Sequence, residues 1–338
     1  MLLKKSIHIL KIFTKNNEKS KINGGVSMRA QNEWDTDLAM EERERFQGTE
    51  TEISGVVIKE LEEKRADMKV TKVEIKTEHG AKAMRKPMGT YITLEAKELS
   101  EESDQAEIFS EILADYMEQL IPKQIKSILA VGLGNQEMTA DTLGPDAVNQ
   151  LWINRHYSEH GQGLSGIVPG VMAKTGMETA LIIKGIVKET KPEMVLVIDA
   201  LAARNAERLG TTIQLTDTGI WPGSGVGNHR DGMNEETLGV PVIAIGVPTV
   251  VRTMSMIRDT WNYLSHVLAN SEETKEIGTK MQELEEDQWQ SIAASMPFQS
   301  AGCMYVMPKD MDERVKRLSR ILSEGINLAV HSRKFMRI

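Results

Sequence analysis

The sequence holds a single cysteine, Cys303, among 338 residues. That excludes a disulfide framework and any cysteine-rich zinc or iron–sulfur site, and it suits a reducing compartment. Aromatic residues are scarce at 4%, and prolines number only 10, so collagen-like and proline-rich chains are excluded too. No apolar run in the sequence reaches the ~18 residues of a membrane-spanning helix. Positive charge is in deficit: 41 Lys and Arg face 49 Asp and Glu, a net −8. The deficit is uneven. Residues 1–27 carry six Lys and one Glu, or +5, which leaves −13 on the rest. An acidic body argues against gripping nucleic acid by phosphate neutralisation, but it suits a basic protein partner. What the chain does have is 40% hydrophobic residues, enough to bury at least one large core.

Residues 1–27 interleave Lys with apolar residues, and no small-residue cleavage site follows a clean apolar stretch, so a secretory signal is not the expected reading. The preferred reading is that Met28 is the start and residues 1–27 are an upstream extension. Residues 28–63 are polar and highly charged, with Glu41-Glu42-Arg43-Glu44-Arg45 at their centre, and read as a surface segment.

Two runs, residues 70–75 and 90–94, alternate and are β-branched, which predicts half-buried strands. Residues 104–120 carry Ile108, Ile112, Tyr116 and Leu120 on one stripe, with Ser103 before them and Pro122 after, which predicts a helix capped by Ser103. Residues 128–131, 194–198 and 242–245 are continuous apolar runs, the pattern of strands buried on both faces. Residues 211–215 alternate better and are expected nearer an edge. Helices are expected at 146–156, 178–189, 254–268, 271–289 and 310–328, the fourth acidic and exposed. Alternating strands and helices predict an α/β fold, a mostly parallel buried sheet flanked by helices. Chemistry then gathers at the carboxyl ends of the strands.

Three segments could carry chemistry. Residues 131–145 contain Gly132, Gly134, Asp141, Gly144 and Pro145 after a buried strand. Glu137 occupies the third glycine position of a dinucleotide fingerprint, and no Gly-Lys-Ser/Thr follows, so neither nucleotide motif is present. Asp141 is then a helix cap or a functional carboxylate. Asp199 ends a run of apolar residues, and a carboxylate there must be hydrogen-bonded, paired or functional. Arg204 and Arg208 are its nearby candidate partners. The third segment is rich in glycine: Gly223, Ser224, Gly225, Gly227 and Asn228 form a loop whose amides could hold an oxyanion or a substrate backbone, or a loop that simply needs positive φ. Asp217-Thr218-Gly219 spells an aspartic-protease triplet, but the surrounding α/β pattern is not that β-rich fold. Ser224 lacks the glycines of a nucleophile elbow. No His spacing matches a zinc protease, and no metal site is expected.

Taken together, the runs 131–145, Pro169-Gly170-Val171-Met172, 197–204, 212–214, 217–228 and 237–250 closely resemble the germination proteases of endospore-forming bacteria. The resemblance spans roughly residues 34–335. It implies an α/β sandwich like that of hydrogenase-maturation endopeptidases, and an atypical aspartic-type endopeptidase that degrades small acid-soluble spore proteins. Matched by motif, the two catalytic aspartates it implies are Asp141, in Thr-x-Asp-x-Leu-Gly-Pro, and Asp199, in Ile-Asp-Ala-Leu-Ala-Ala-Arg. It further implies a homotetramer and a self-processing zymogen, located in the cytoplasm of the forespore and spore core. It implies no cofactor, no metal, no membrane and no nucleic-acid partner. Ala140, where the family often has proline, and a short connection between His156 and Pro169 depart from the pattern.

Family substrates are cut between an acidic and an apolar residue, with Ala and then Glu downstream. Asp37-Leu38-Ala39-Met40-Glu41 has that form. The expected organisation is an N-terminal extension and propeptide over 1–37 and one protease domain over 38–338. The segment is expected to be exposed and poorly packed, the alternative being a helix beginning at Leu38 with Asp37 as its cap. The other readings kept open are a hydrogenase-maturation-type endopeptidase and a non-catalytic binder of a basic spore protein.

Overall fold

The computed structural model describes residues 36–44, 53–101, 104–158, 162–223, 231–285, 288–289, 291–292 and 304–331. All of these lie in one compact unit, Glu33–Ile338. Ser103, Ser224, Gly225, Gly227, Asn228 and Cys303 fall outside the described residues.

Among the described residues, nine strands build one sheet: β1 (Val56–Glu63), β2 (Met68–Ile75), β3 (Gly89–Glu95), β4 (Ser127–Gly132), β5 (Gly163–Ile167), β6 (Met194–Ala203), β7 (Thr212–Thr216), β8 (Val242–Arg252) and β9 (Tyr305–Val306). Their order is β1-β2-β3-β7-β8-β6-β4-β5, with β9 pairing β8 off this path. The principal helices are α1 (Ala39–Glu44), α2 (Glu78–Met84), α3 (Ala106–Leu120), α4 (Leu143–Asn149), α5 (Thr179–Thr190), α6 (Thr253–Ala269), α7 (Lys275–Gln282) and α8 (Met311–His331).

The expected α/β sheet flanked by helices is observed, but the sheet is mixed rather than mostly parallel. The half β8-β6-β4-β5 is parallel, and β1-β2-β3-β7 joins it antiparallel. A short connection explains the first pair of the second half: only four residues, 64–67, join β1 to β2, too few for a parallel crossover. The buried runs have a simple cause. Along β4 and β6, Ile128, Ala130, Met194, Leu196 and Ile198 face a core shared with α3 and α8. Leu129, Val131, Val195 and Val197 face the opposite core, closed by Ile183 and Val187 of α5. With side chains alternating across the sheet, every position of such a strand is apolar.

Several boundaries differ from expectation. β7 is central, between β3 and β8, although its alternation suggested an edge. Its apolar Ile213 and Leu215 face the main core, and its polar Thr212, Gln214 and Thr216 are buried on the other face. The helix expected over 146–156 ends at Asn149, and a separate 3-10 turn covers Arg155–Tyr157. The acidic stretch 271–289 is not one helix: α7 ends at Gln282, and Trp289 is buried against Trp261 and Arg258.

Residues 36–44 are the largest departure. The expected exposed segment is buried instead, with Leu38 and Ala39 fully enclosed and Glu41 and Glu42 nearly so. Leu38 joins the main core, and Ala39 packs with Val73, Ile75, Met84 and Tyr91. A helix does form, beginning at Ala39, and Thr36 Oγ1 accepts the Leu38 N–H. Asp37 does not cap it: its carboxylate accepts from Ala202 N at 2.9 Å.

Candidate active site

Two structural devices bring Asp141 and Asp199 to one place. β6 outruns its neighbour: Gly132, the last residue of β4, pairs with Ile198, so Asp199 follows where β4 stops. The strand itself continues through Ala203, so Asp199 does not end it, as the sequence suggested. Leu133 N donates to Ile198 O at 2.8 Å, which ties the start of the Asp141 loop to β6. The loop then folds back so closely that Gly144 touches both strands. A Cβ on Gly144 would lie 2.4 Å from the carbonyl oxygens of Leu133 and Ile198. Gly134 has φ +127, and a Cβ there would lie 1.9 Å from Asp141 O. The glycines of 132–144 therefore serve backbone contact, in place of a nucleotide phosphate.

Asp141 ends a 3-10 turn, Thr139–Asp141. Its Oδ2 accepts from Asn135 N at 2.8 Å, so the carboxylate is held within its own loop and does not cap α4. A second tie comes from β8. Register shifts where Leu201 faces Pro248 and Ala202 faces Val250. The skipped residue, Thr249, donates its hydroxyl to Ala140 O at 2.6 Å, a bulge re-aiming a side chain. Asp199 is 7% exposed, and its Oδ1 accepts from Ala200 N at 2.9 Å.

Asp141 and Asp199 line one cavity together with Asp37, Gly134, Thr179, Gly223 and Thr249. Gly223 is the described member of the predicted glycine-rich loop. Arg204 and Arg208 are engaged elsewhere: Arg204 bonds Asp259 at 2.8 Å, and Arg208 bonds Glu41, Glu44 and Glu95. Asp217-Thr218-Gly219 is structural. Asp217 Oδ1 accepts from Thr90 N at 2.7 Å, Thr218 Oγ1 bonds Tyr91 Oη at 3.2 Å, and Gly219 takes φ +81. Burial holds the Tyr91 hydroxyl well above its ordinary pKa, against the bond from Thr218. Among the described residues no group of three or more His, Cys, Asp or Glu is placed to hold a metal ion.

A set of side chains not foreseen from the sequence surrounds Asp37 and Leu38. Gln214 Nε2 donates to Asp37 O at 3.0 Å, and its Oε1 accepts from Ala39 N at 2.7 Å. Lys86 Nζ donates to Thr36 O at 2.8 Å and to Asp37 O at 3.1 Å. Asp37 N donates to Ala202 O at 3.2 Å. The signal that could have found Gln214 is the polar face of β7, whose Thr212, Gln214 and Thr216 are covered despite their polarity.

Known proteins resemble this chain along most of its length. The germination protease family model matches residues 34–302. A germination protease of Caldanaerobacter subterraneus subsp. tengcongensis is 42% identical over 306 residues, covering 87% of this chain and 93% of its own. That of Clostridium tetani is 41% identical over 307 residues, covering 87% and 94%. That of Priestia megaterium is 37% identical over 350 residues, covering 88% and 93%. Among solved structures, a [NiFe] hydrogenase maturation protease, HycI, from Thermococcus kodakarensis aligns with TM-score 0.33 and 15% identity, over 62% of this chain and 98% of its own. The chain is a protease. More specifically, it belongs to the germination protease family.

Proposed function

We propose that the protein is an endopeptidase that opens the degradation of small acid-soluble, DNA-binding spore proteins during germination. It is made as a zymogen and cuts its own chain between Asp37 and Leu38. The observation that carries this reading is that Asp37 lines the same cavity as Asp141 and Asp199. In this reading the 1–37 segment is extension and propeptide, and 38–338 is the protease domain, assembled as a homotetramer in the cytoplasm of the forespore and spore core.

The chemistry is that of two carboxylates and water. Peptide hydrolysis needs a base for the attacking water and an acid for the departing amine. Two close carboxylates share one proton, because mutual repulsion raises one pKa while the other group stays ionised. Asp141 and Asp199 are that pair. The water adds to the Asp37 carbonyl carbon while the ionised aspartate takes its proton. The C–N bond to Leu38 then breaks, and the protonated aspartate supplies the proton of the new Leu38 amine. Gln214 Nε2 and Lys86 Nζ already donate to the carbonyl oxygen that gains charge, which is where transition-state stabilisation counts most.

Asp141→Asn and Asp199→Asn test this. Each should lose cleavage of an added small acid-soluble spore protein by several orders of magnitude while its fold remains. An Asp199→Asn protein that digests substrate near the parent rate would contradict the assignment. Absence of any turnover by the processed parent chain would favour a non-catalytic binder.

A further inference from the structure

α5 begins at the cavity of Asp141 and Asp199, and its first turn has open donors. Thr179 is its first residue and lines that cavity. The side chain is enclosed, at 3% exposure, yet its hydroxyl has no hydrogen-bond partner among the described residues. Thr249, the other threonine of the cavity, is by contrast tied to Ala140 O. Glu178, in the cap position, makes no side-chain bond to the helix. Its carbonyl accepts from the Leu181 and Ile182 amides, while the Thr179 and Ala180 amides have no acceptor among the described residues. A helix of 12 residues carries positive partial charge at this end, and its free N–H groups suit a negatively charged oxygen. Buried donors without an acceptor cost free energy, so this end of α5 is built to receive an oxygen.

The neighbouring carboxylates decide which oxygen. A permanent anion would meet the ionised member of the Asp141–Asp199 pair and be repelled. A reacting carbonyl oxygen would not. When water adds to the carbonyl carbon, the ionised aspartate takes the water proton and becomes neutral. The π electrons of the C=O bond move onto the oxygen, so the negative charge passes from the aspartate to the oxygen. On collapse the C=O bond re-forms, the C–N bond breaks, and an aspartate proton goes to the departing amine. Donors fixed beforehand around such an oxygen favour the transition state over the ground state.

We propose that Thr179, through its hydroxyl and its amide at the start of α5, holds the scissile carbonyl oxygen of a separate protein substrate. The chain's own Asp37 carbonyl has other donors, Gln214 Nε2 and Lys86 Nζ. A separate peptide cannot repeat that geometry while Leu38 and Ala39, which stay with the enzyme after the cut, fill their places in the cores. Substrate and leader thus use the same two aspartates with different donors for the oxyanion. The inference rests on the two-aspartate hydrolysis proposed above, and adds to it a third group that touches the reacting atoms.

The test compares two reactions in Thr179→Val, which keeps the shape and removes the hydroxyl, and in Thr179→Ser, which restores it. With an added small acid-soluble spore protein, the processed Thr179→Val enzyme should lose about 30-fold or more in kcat, with KM within about threefold of the parent, because the lost bond strengthens only as charge develops. Thr179→Ser should recover kcat to within about fivefold of the parent. Self-cleavage of Thr179→Val between Asp37 and Leu38 should stay within about threefold of the parent rate, since its carbonyl donors are untouched. That reaction also reports a folded site. Parent-like kcat in Thr179→Val overturns the oxyanion role and leaves the proposed function intact. Parallel loss of both reactions, through misfolding or displaced aspartates, overturns it as well, because Thr179 would then be structural. Absence of turnover by the processed parent overturns both readings.

Discussion

The side-chain amide of Gln214 brackets Leu38, donating to the carbonyl before it at 3.0 Å and accepting from the amide after it at 2.7 Å. This clamp spans the bond that the family form marks for cleavage. Asp37 lines the cavity of Asp141 and Asp199.

Gln214→Glu keeps the acceptor for Ala39 but loses the donor for the Asp37 carbonyl, and it adds a charge to a buried position. The new Leu38 terminus should appear at least about tenfold more slowly, since misplaced reacting groups and a missing carbonyl donor both cost rate. A mass-spectrometric time course measures this. An unchanged rate would show that the clamp is only structural.

Gly144→Ala probes the packing that joins the two aspartate-bearing elements. The added methyl meets the carbonyl oxygens of Leu133 and Ile198 at 2.4 Å, so either the Asp141 loop or β6 must move. Overpacking of this kind costs about 1–3 kcal/mol. Denaturant titration should show that loss, and peptidase activity should fall further than the loss of folded protein explains. Full activity in a folded Gly144→Ala protein would mean that this close contact does not set the site.

Much of this was legible locally, and the rest was not, for physical reasons. Residues 128–131 and 194–198 are apolar at every position because alternate side chains enter two cores, and that pattern is visible in the chain. Asp199 stood out because it interrupts such a run. The docking of 37–44 was hidden because its partners are remote: Gln214 is 177 positions from Asp37, and Arg208 is 167 from Glu41. A polar, charged stretch reads as solvent-exposed until those partners are known. β7 was misplaced for the same reason, since Gln214 on its polar face bonds that segment.

Stability should depend on pH through His331, at the end of α8 beside Trp152. Burial lowers its pKa, against a smaller upward pull from a backbone bond near Trp152. As pH falls below the unfolded value of 6.5, the unfolded chain takes the proton first and stability drops. The contribution is complete above that value and is lost as pH falls through the folded pKa. His331→Phe keeps a ring against Trp152 without titrating. The parent should therefore lose more stability than His331→Phe between neutral and mildly acidic pH, as read by urea titration at several pH values. Parallel pH curves for the two proteins would remove His331 from the account.

The most direct test of the two-aspartate account is the N-terminus left after incubation at mildly acidic pH, where a carboxylate pair more readily holds its shared proton. Intact-mass measurement and N-terminal sequencing should find Leu38 first in the parent chain, and no processing in Asp141→Asn or Asp199→Asn. A mature terminus elsewhere, or unchanged processing in the Asp141→Asn protein, would contradict it.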